Sequence, residues 1–308
     1  MKHKLYLPLI ALLFIGSCTQ AKEEQQVKQD QQLQQKQQAK QKQEASHYKY
    51  TGKIKRTYFA SYNFSGHFDV IFNGVIMTRN RKDGVTSGIE DLNPYIAKKG
   101  LQKVTLMLRP LDAKSKIAPE DVKNYFIDIV YTEDNDPSAV HKVKRCSFPA
   151  VYKPVDSLVY TWTFDADVAY ELTGFTNSSD LSKEDPKQLL AEVLEYYKHV
   201  HEVINKGDAK DYLQLYQKSR EREMISMYMD EQKQKEYLQK LEKRILSSKG
   251  FMQPLEDYRL LIHPNGKLIS LIKPDGTSPL YSKDSEGKWK RYGLDLHRVK
   301  GSHKFEVY

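Results

Sequence analysis

Cysteine is almost missing from this chain: Cys18 and Cys146 are the only 2 among 308 residues. A disulfide-dense scaffold and a cysteine-rich zinc site are thereby excluded. Tryptophan is equally scarce, with 2 copies against 21 tyrosines. Long hydrophobic runs are lacking too. Only one stretch is long enough to weigh as a membrane segment, which excludes a polytopic membrane protein. Neither a G-x-S-x-G nucleophile turn nor a G-x-x-x-x-G-K-[ST] phosphate loop occurs. His201-Glu202 opens an H-E-x-x-H string, but position 205 is Asn, so the second zinc ligand is missing.

The N-terminus supplies an address. Lys2, His3 and Lys4 precede an apolar run from Leu5 to Ile15, and Gly16, Ser17 and Cys18 follow. Eleven apolar residues span about 16 Å as a helix, against a hydrocarbon core of roughly 30 Å. That is the length of a signal peptide rather than of a stable span. Ile15-Gly16-Ser17-Cys18 resembles the lipobox of bacterial lipoproteins. The resemblance implies cleavage after residue 17, diacylation of the Cys18 thiol and acylation of the new amino group. Each buried acyl CH₂ contributes roughly 0.8 kcal/mol, so two or three chains make a lasting anchor. Thr19 stands where Asp would resemble an inner-membrane retention signal, so the family analogy places the anchor in the outer membrane, facing the periplasm.

Lys plus Arg number 49 and Asp plus Glu 40, a net charge of +9. Removing residues 1–17 takes away Lys2 and Lys4 and no acid, so 9 minus 2 leaves +7. In that compartment the counter-charge is an anionic headgroup, an envelope polymer or an acidic protein, and nucleic acid is not expected as a partner. From Cys18 to residue 46 the chain is Gln- and Lys-rich, with Val27 and Leu33 as its only large apolar residues. No core can form there. The segment reads as a tether that spans roughly 30 Å as a coil and about 90 Å when extended.

Residues 47–172 read as an all-β sandwich. Period-2 runs occupy Lys53–Ala60, His67–Asn73, Val75–Arg79, Gln102–Arg109, Tyr125–Thr132, Ala139–Phe148 and Ser157–Asp167. Asn73-Gly74 predicts a type I′ hairpin, because both turn residues need positive φ. The stretch between Arg79 and Asp91, with Gly84 and Gly88, reads as a loop. Asn73, Gly74 and Val75, followed by Asp91-Leu92-Asn93, Tyr95-Ile96, Gly100 and Val104, resemble the edge of galactose-binding-like jelly rolls. That likeness implies a fold more than an activity.

Residues 173–185 form a polar linker, and 186–308 read as an α+β domain of three helices packed on an antiparallel sheet. Asp185 is placed to cap a helix with Pro186 in its first turn, and Gly207 to end it. Leu189, Val193, Tyr197, Val200 and Ile204 recur at helical spacing. A second helix is expected from about Ala209 towards Tyr228 and a third from about Glu231 to Ser248. The third should bury Leu238, Leu241 and Ile245. Beyond Gly250 the period turns to two, with a hairpin at Pro264-Asn265-Gly266. The element order and the phrase VINKGDAKDYLQLY resemble NTF2-like cone folds, which hold acid–base groups in a pocket.

Candidate functional residues are few. Tyr160, Trp162 and Phe164 share one face of a predicted strand. They are the candidate ligand or partner contacts, with core packing as the plainer alternative. Asp165 and Asp167 lie on the opposite face, and Asp134 and Asp136 lack the glutamate that would complete a calcium loop. No metal and no cofactor is expected. His199, His201, Asp257 and His263 are the groups a pocket enzyme would need, and Cys146 reads as a buried structural thiol. The expectation is a non-catalytic lipoprotein that binds another protein, in one version an immunity-like inhibitor of a toxin delivered into the periplasm, as in type VI secretion. A glycan-binding or envelope-maintenance role is the alternative. Intact mass of the envelope-extracted chain should show an acylated N-terminus at Cys18. Cys18→Ser should abolish that mass and move the protein to the aqueous phase of a detergent partition.

Overall fold

The computed structural model describes residues 49–50 and 53–308, apart from 83, 111, 113 and 135. Cys18 and the Gln-rich tether lie outside the described residues. The described residues form one compact unit. Its strands are β1 (Lys49–Tyr50), β2 (Arg56–Ser65), β3 (His67–Phe72), β4 (Val75–Asn80), β5 (Val85–Asp91), β6 (Gly100–Arg109), β7 (Phe126–Glu133), β8 (Val140–Ser147), β9 (Leu158–Ala166) and β10 (Tyr170–Glu171). A one-turn helix α1 (Pro119–Val122) precedes β7. Two four-stranded antiparallel sheets result, in the orders β5-β2-β7-β8 and β4-β3-β6-β9, and β1 pairs with β10.

Alternation along these strands builds one shared core. Tyr58, Ala60, Tyr62 and Phe64 of β2 face Phe68, Val70 and Phe72 of β3 and Val104, Leu106 and Leu108 of β6. Phe68 meets Phe64 at 5.0 Å and Tyr62 at 5.7 Å, both edge-on, so aromatic rings bridge the two sheets. Asn73 and Gly74 take φ of +47° and +79°, as the hairpin signal requires. β5 corrects the expected loop. Gly88 sits within this strand because a Cβ there would run into the Tyr62 ring of the neighbouring strand.

Helices occupy the middle of the chain: α2 (Pro186–Lys206), α3 (Ala209–Leu215), α4 (Gln217–Ser226) and α5 (Glu231–Leu246). Asp185 accepts from the N–H groups of Lys187 and Gln188, and Gly207 closes α2 at φ +71°. The predicted stripe of α2 is fully buried. The single helix expected after it is two, broken at Tyr216. That side chain is 2% exposed, stacks on Tyr212 at 4.3 Å and donates its hydroxyl proton to Gly293 O at 3.1 Å. Seating this ring in the second core turns the helix axis without proline or glycine. In α5 only Ile245 is fully buried, and Leu238 and Leu241 are half-buried.

The C-terminal strands are β11 (Arg259–Ile262), β12 (Ile269–Ile272), β13 (Tyr281–Lys283), β14 (Trp289–Arg291), β15 (Leu296–Arg298) and β16 (Phe305–Val307). They form an antiparallel sheet β11-β12-β15-β16 and a separate β13-β14 hairpin. The helices and this sheet share a second core around Leu189, Val193, Tyr197, Ile245, Leu271 and Leu296.

Polar contacts join the two cores. Asn93 is fully buried. Its Oδ1 accepts from Tyr58 N–H at 2.8 Å, and its Nδ2 donates to Arg56 O at 3.0 Å and Ser226 O at 2.8 Å. One amide thus ties β2 to the end of α4. On β16, Glu306 meets His297 Nε2 at 3.1 Å and Lys218 Nζ at 3.0 Å. The His297 hydrogen bond lowers its pKa from the ordinary 4.5 to about 2, with Lys218 assisting and burial opposing. A carboxylate depressed in this way contributes stability above its unfolded pKa and loses it as pH falls through the folded one. Unfolding free energy should therefore drop between about pH 4.5 and pH 2. Glu306→Gln should flatten that part of the curve in denaturant titrations.

Candidate functional site

The aromatic trio of β9 does not form one exposed platform. Trp162 and Phe164 are 9% and 6% exposed and belong to the first core, whereas Tyr160 is 42% exposed. Trp162 donates Nε1–H to Ser147 O at 3.1 Å and Phe164 stacks on Phe72 at 6.2 Å. Of the three, Tyr160 offers a partner the most surface. On the outer face, the Thr105 and Thr161 hydroxyls share a hydrogen bond of 2.8 Å. Among the described residues no three His, Cys, Asp or Glu side chains converge as metal ligands.

The four candidate acid–base residues are not brought together. His199 is exposed, and Glu202, three residues further along α2, pairs with Lys206 at 2.6 Å. His201 Nε2 meets Gln253 O at 2.9 Å. Asp257 lies at the surface with φ +52°, and its ion-pair partner among the described residues is Lys273, at 4.0 Å. His263 is 3% exposed and finds a different acid: its Nε2 lies 3.3 Å from both Asp295 Oδ1 and Ser270 Oγ. These three groups, with Arg79 and Tyr197, line a cavity of about 220 Å³. Asp295 follows β14 in an irregular stretch, so no periodic signal pointed to it.

Serine, histidine and aspartate here do not make a nucleophilic relay. A relay needs the hydroxyl on one ring nitrogen and the carboxylate on the other. Both lie on Nε2, and Nδ1 accepts the backbone N–H of Ile76 at 3.1 Å. A backbone N–H can only donate, so Nδ1 carries no proton while that bond stands. Burial pushes the Asp295 carboxyl up, but the His263 and Ser270 hydrogen bonds and the Arg222 charge outweigh it and hold it below the usual range.

Asp69 forms a second charged cluster that the sequence did not announce. It is 2% exposed and receives Arg79 at 2.7 Å, Arg81 at 2.6 Å and Arg109 at 2.8 Å. Burial alone would raise its pKa, but the three guanidiniums win and lower it. Cys146 is fully buried, and burial pushes its thiol up to about 11, away from the reactive thiolate.

The sheet edges differ in how they are closed. An edge strand exposes unpaired N–H and C=O groups, which proteins blunt with charge or cover. β8 carries Lys142, Lys144 and Arg145, and Lys144 Nζ donates to Thr163 O on β9 at 2.8 Å. β4 is covered: Ile76 N–H goes to His263, and Asn265 N–H donates to Gly74 O at 3.0 Å. β5, sequence VTSGIED, has neither a basic residue nor proline. Its only ladder partner among the described residues is β2, and Val85 and Ile89 are 72% and 70% exposed. Of these three edges, β5 is the open one.

Comparison with known proteins adds nothing to this geometry: no family model, no curated protein and no solved structure matches the chain. His263→Ala should leave the Ile76 N–H unpaired and cost about 1–3 kcal/mol of unfolding free energy in urea titrations. Asp257→Asn, which keeps a residue tolerant of positive φ, should change it by less than about 0.5 kcal/mol.

Proposed function

We propose that this chain is a lipid-anchored protein of the bacterial envelope that binds another protein and performs no chemistry of its own, an immunity-like inhibitor being the concrete form. In this reading the two N-terminal sheets are a galactose-binding-like jelly-roll sandwich, and the helices with the last sheet are an NTF2-like domain. The lipobox-like Ile15-Gly16-Ser17-Cys18 and the Gln-rich tether support the address. The observation that carries the binding role is the open β5 edge. Its free backbone groups can extend a partner's strand, and Val85 and Ile89 supply side chains for pockets on that partner. Main-chain pairing of this kind gives affinity without a preformed cavity, which suits capping an enzyme's surface.

A photocrosslinking phenylalanine at Ser87, installed in the native host during co-culture with toxin-delivering neighbours, should yield a protein adduct of one defined mass. The same probe at Lys142, on the charge-blunted β8 edge, should not. Ile89→Lys should remove the adduct and sensitise the host as fully as deletion of the gene does. Equal labelling at both positions, or unchanged survival of the deletion strain in competition, would overturn the proposal.

A further inference from the structure

The turn between Asn93 and Gln102 presents a basic face that the binding role does not use. Lys98, Lys99 and Lys103 are exposed, and none has an ion-pair partner among the described residues. Together with Lys267, Lys98 and Lys99 rim an open hollow of about 460 Å³ whose walls include Tyr95, Leu101 and Phe175. No Asp or Glu lines it. Three acids lie nearby: Asp165 is opposite Leu101 in register, Glu171 is opposite Lys49, and Asp180 feels the charge of Lys267, but none of them forms an ion pair with these lysines. The ammonium of Lys267 donates to Ser178 O at 2.9 Å and that of neighbouring Lys300 to Thr176 O at 2.8 Å. Each has three N–H groups, so two per lysine are left for an outside acceptor.

Within this ring of positive charge stands an apolar side chain, Leu101, 62% exposed. Cationic groups around an exposed leucine match the two layers of a lipid surface, with phosphates outside and acyl boundary beneath. Chain path places the face as well. β1, through which the chain continues towards Cys18, pairs with β10, and Leu172 N–H, next after β10, donates to Ala97 O at 2.7 Å. Lys49 and Tyr50, the first described residues, therefore lie on the same side of the body as Lys98.

We propose that this face docks on anionic phospholipid headgroups, with Lys98, Lys99, Lys103 and Lys267 on the phosphates and Leu101 in the interfacial layer. The physiological setting rests on the lipid-anchor reading, because a tethered body meets its own membrane at high effective concentration and needs only weak surface affinity. The docking itself is a property of the folded body.

The test uses the chain from residue 18 onward with Cys18→Ser, sedimented with phosphatidylethanolamine vesicles containing phosphatidylglycerol or with phosphatidylcholine vesicles. Binding should favour the anionic vesicles and weaken as salt shortens the electrostatic range. Each lysine near such a surface contributes about a factor of five, so Lys98→Glu with Lys99→Glu should cut partitioning at least about tenfold. Lys187→Glu with Lys210→Glu, the same charge change on the helices, should have a much smaller effect. Leu101→Ser should lower binding without altering its salt dependence. Equal binding to both vesicle types, equal losses in the two double variants, or no binding would overturn the proposal. So would thermal stabilisation by inorganic phosphate, lost in the Lys98/Lys99 variant, without vesicle binding, which would mark a free-anion site. The mass of the wild-type chain reads the anchor separately. Acylation without docking by the Cys18→Ser chain sinks the face alone, and docking without acylation sinks the anchor alone.

Discussion

The hydrogen bond from the Ile76 backbone N–H to Nδ1 of His263 closes the β4 edge of the second sheet, and much of the molecule is arranged around it. A buried edge with unpaired backbone groups would cost more than most side-chain contacts return. Closing it brings the β11–β12 turn against the Asn73-Gly74 hairpin, where Val75, Leu268 and Tyr308 make a small apolar cluster between the two main cores. Gly74 is required twice over. Its φ is +79°, and a Cβ would lie 2.8 Å from that of Asn265. The turn that joins β3 to β4 is thus also the surface on which the C-terminal half rests, and with Asn93 it makes a β layer and a helical layer into one unit.

Signals with local causes were legible in the sequence. The type I′ turn needs two residues that tolerate positive φ, and Asn73-Gly74 supplies them. α2 needs a cap, a first-turn proline, an apolar stripe and a left-handed terminus, and Asp185, Pro186, Leu189 to Ile204 and Gly207 provide each in order. What stayed hidden has non-local causes. β5 looks like a loop because Gly88 weakens its pattern, and the reason for that glycine is a tyrosine 26 positions earlier, Tyr62, on the strand beside it. The break at Tyr216 comes from a seat in the second core, which no spacing encodes. The site was less legible still. His263 was visible as a residue, but its partners Ile76 and Asp295 come from other strands and loops. Trp162 and Phe164 lie on one strand face as read, and which way that face turns is decided by the opposing sheet.

The abundance of tyrosine was ambiguous between a contact surface and a dense interior. Several of these rings are internal ties. Tyr170 donates to Asn93 O at 2.8 Å, and Tyr197 donates to Leu294 O at 2.6 Å while accepting from Leu271 N–H at 2.9 Å. Tyr58 and Tyr228 accept backbone N–H groups from Asp167 and Ala169. Each ring fills apolar volume and its hydroxyl reaches a main-chain group that irregular backbone would otherwise leave unpaired. That pattern suits short strands and many connections, as in the C-terminal half, where four of the six strands have only 3 residues.

The Asp69 cluster has a lopsided architecture: one buried carboxylate serves three arginines from two strands and a loop. Loss of any one arginine leaves a neutralised acid with two partners. Loss of the acid leaves three guanidiniums crowded together with no counter-ion, at several kcal/mol. Tolerance to change is therefore unequal among residues that touch each other. Drift among descendants of this sequence would be expected to trade away Arg79, Arg81 or Arg109 singly, while position 69 stays an acid in every lineage that keeps the fold.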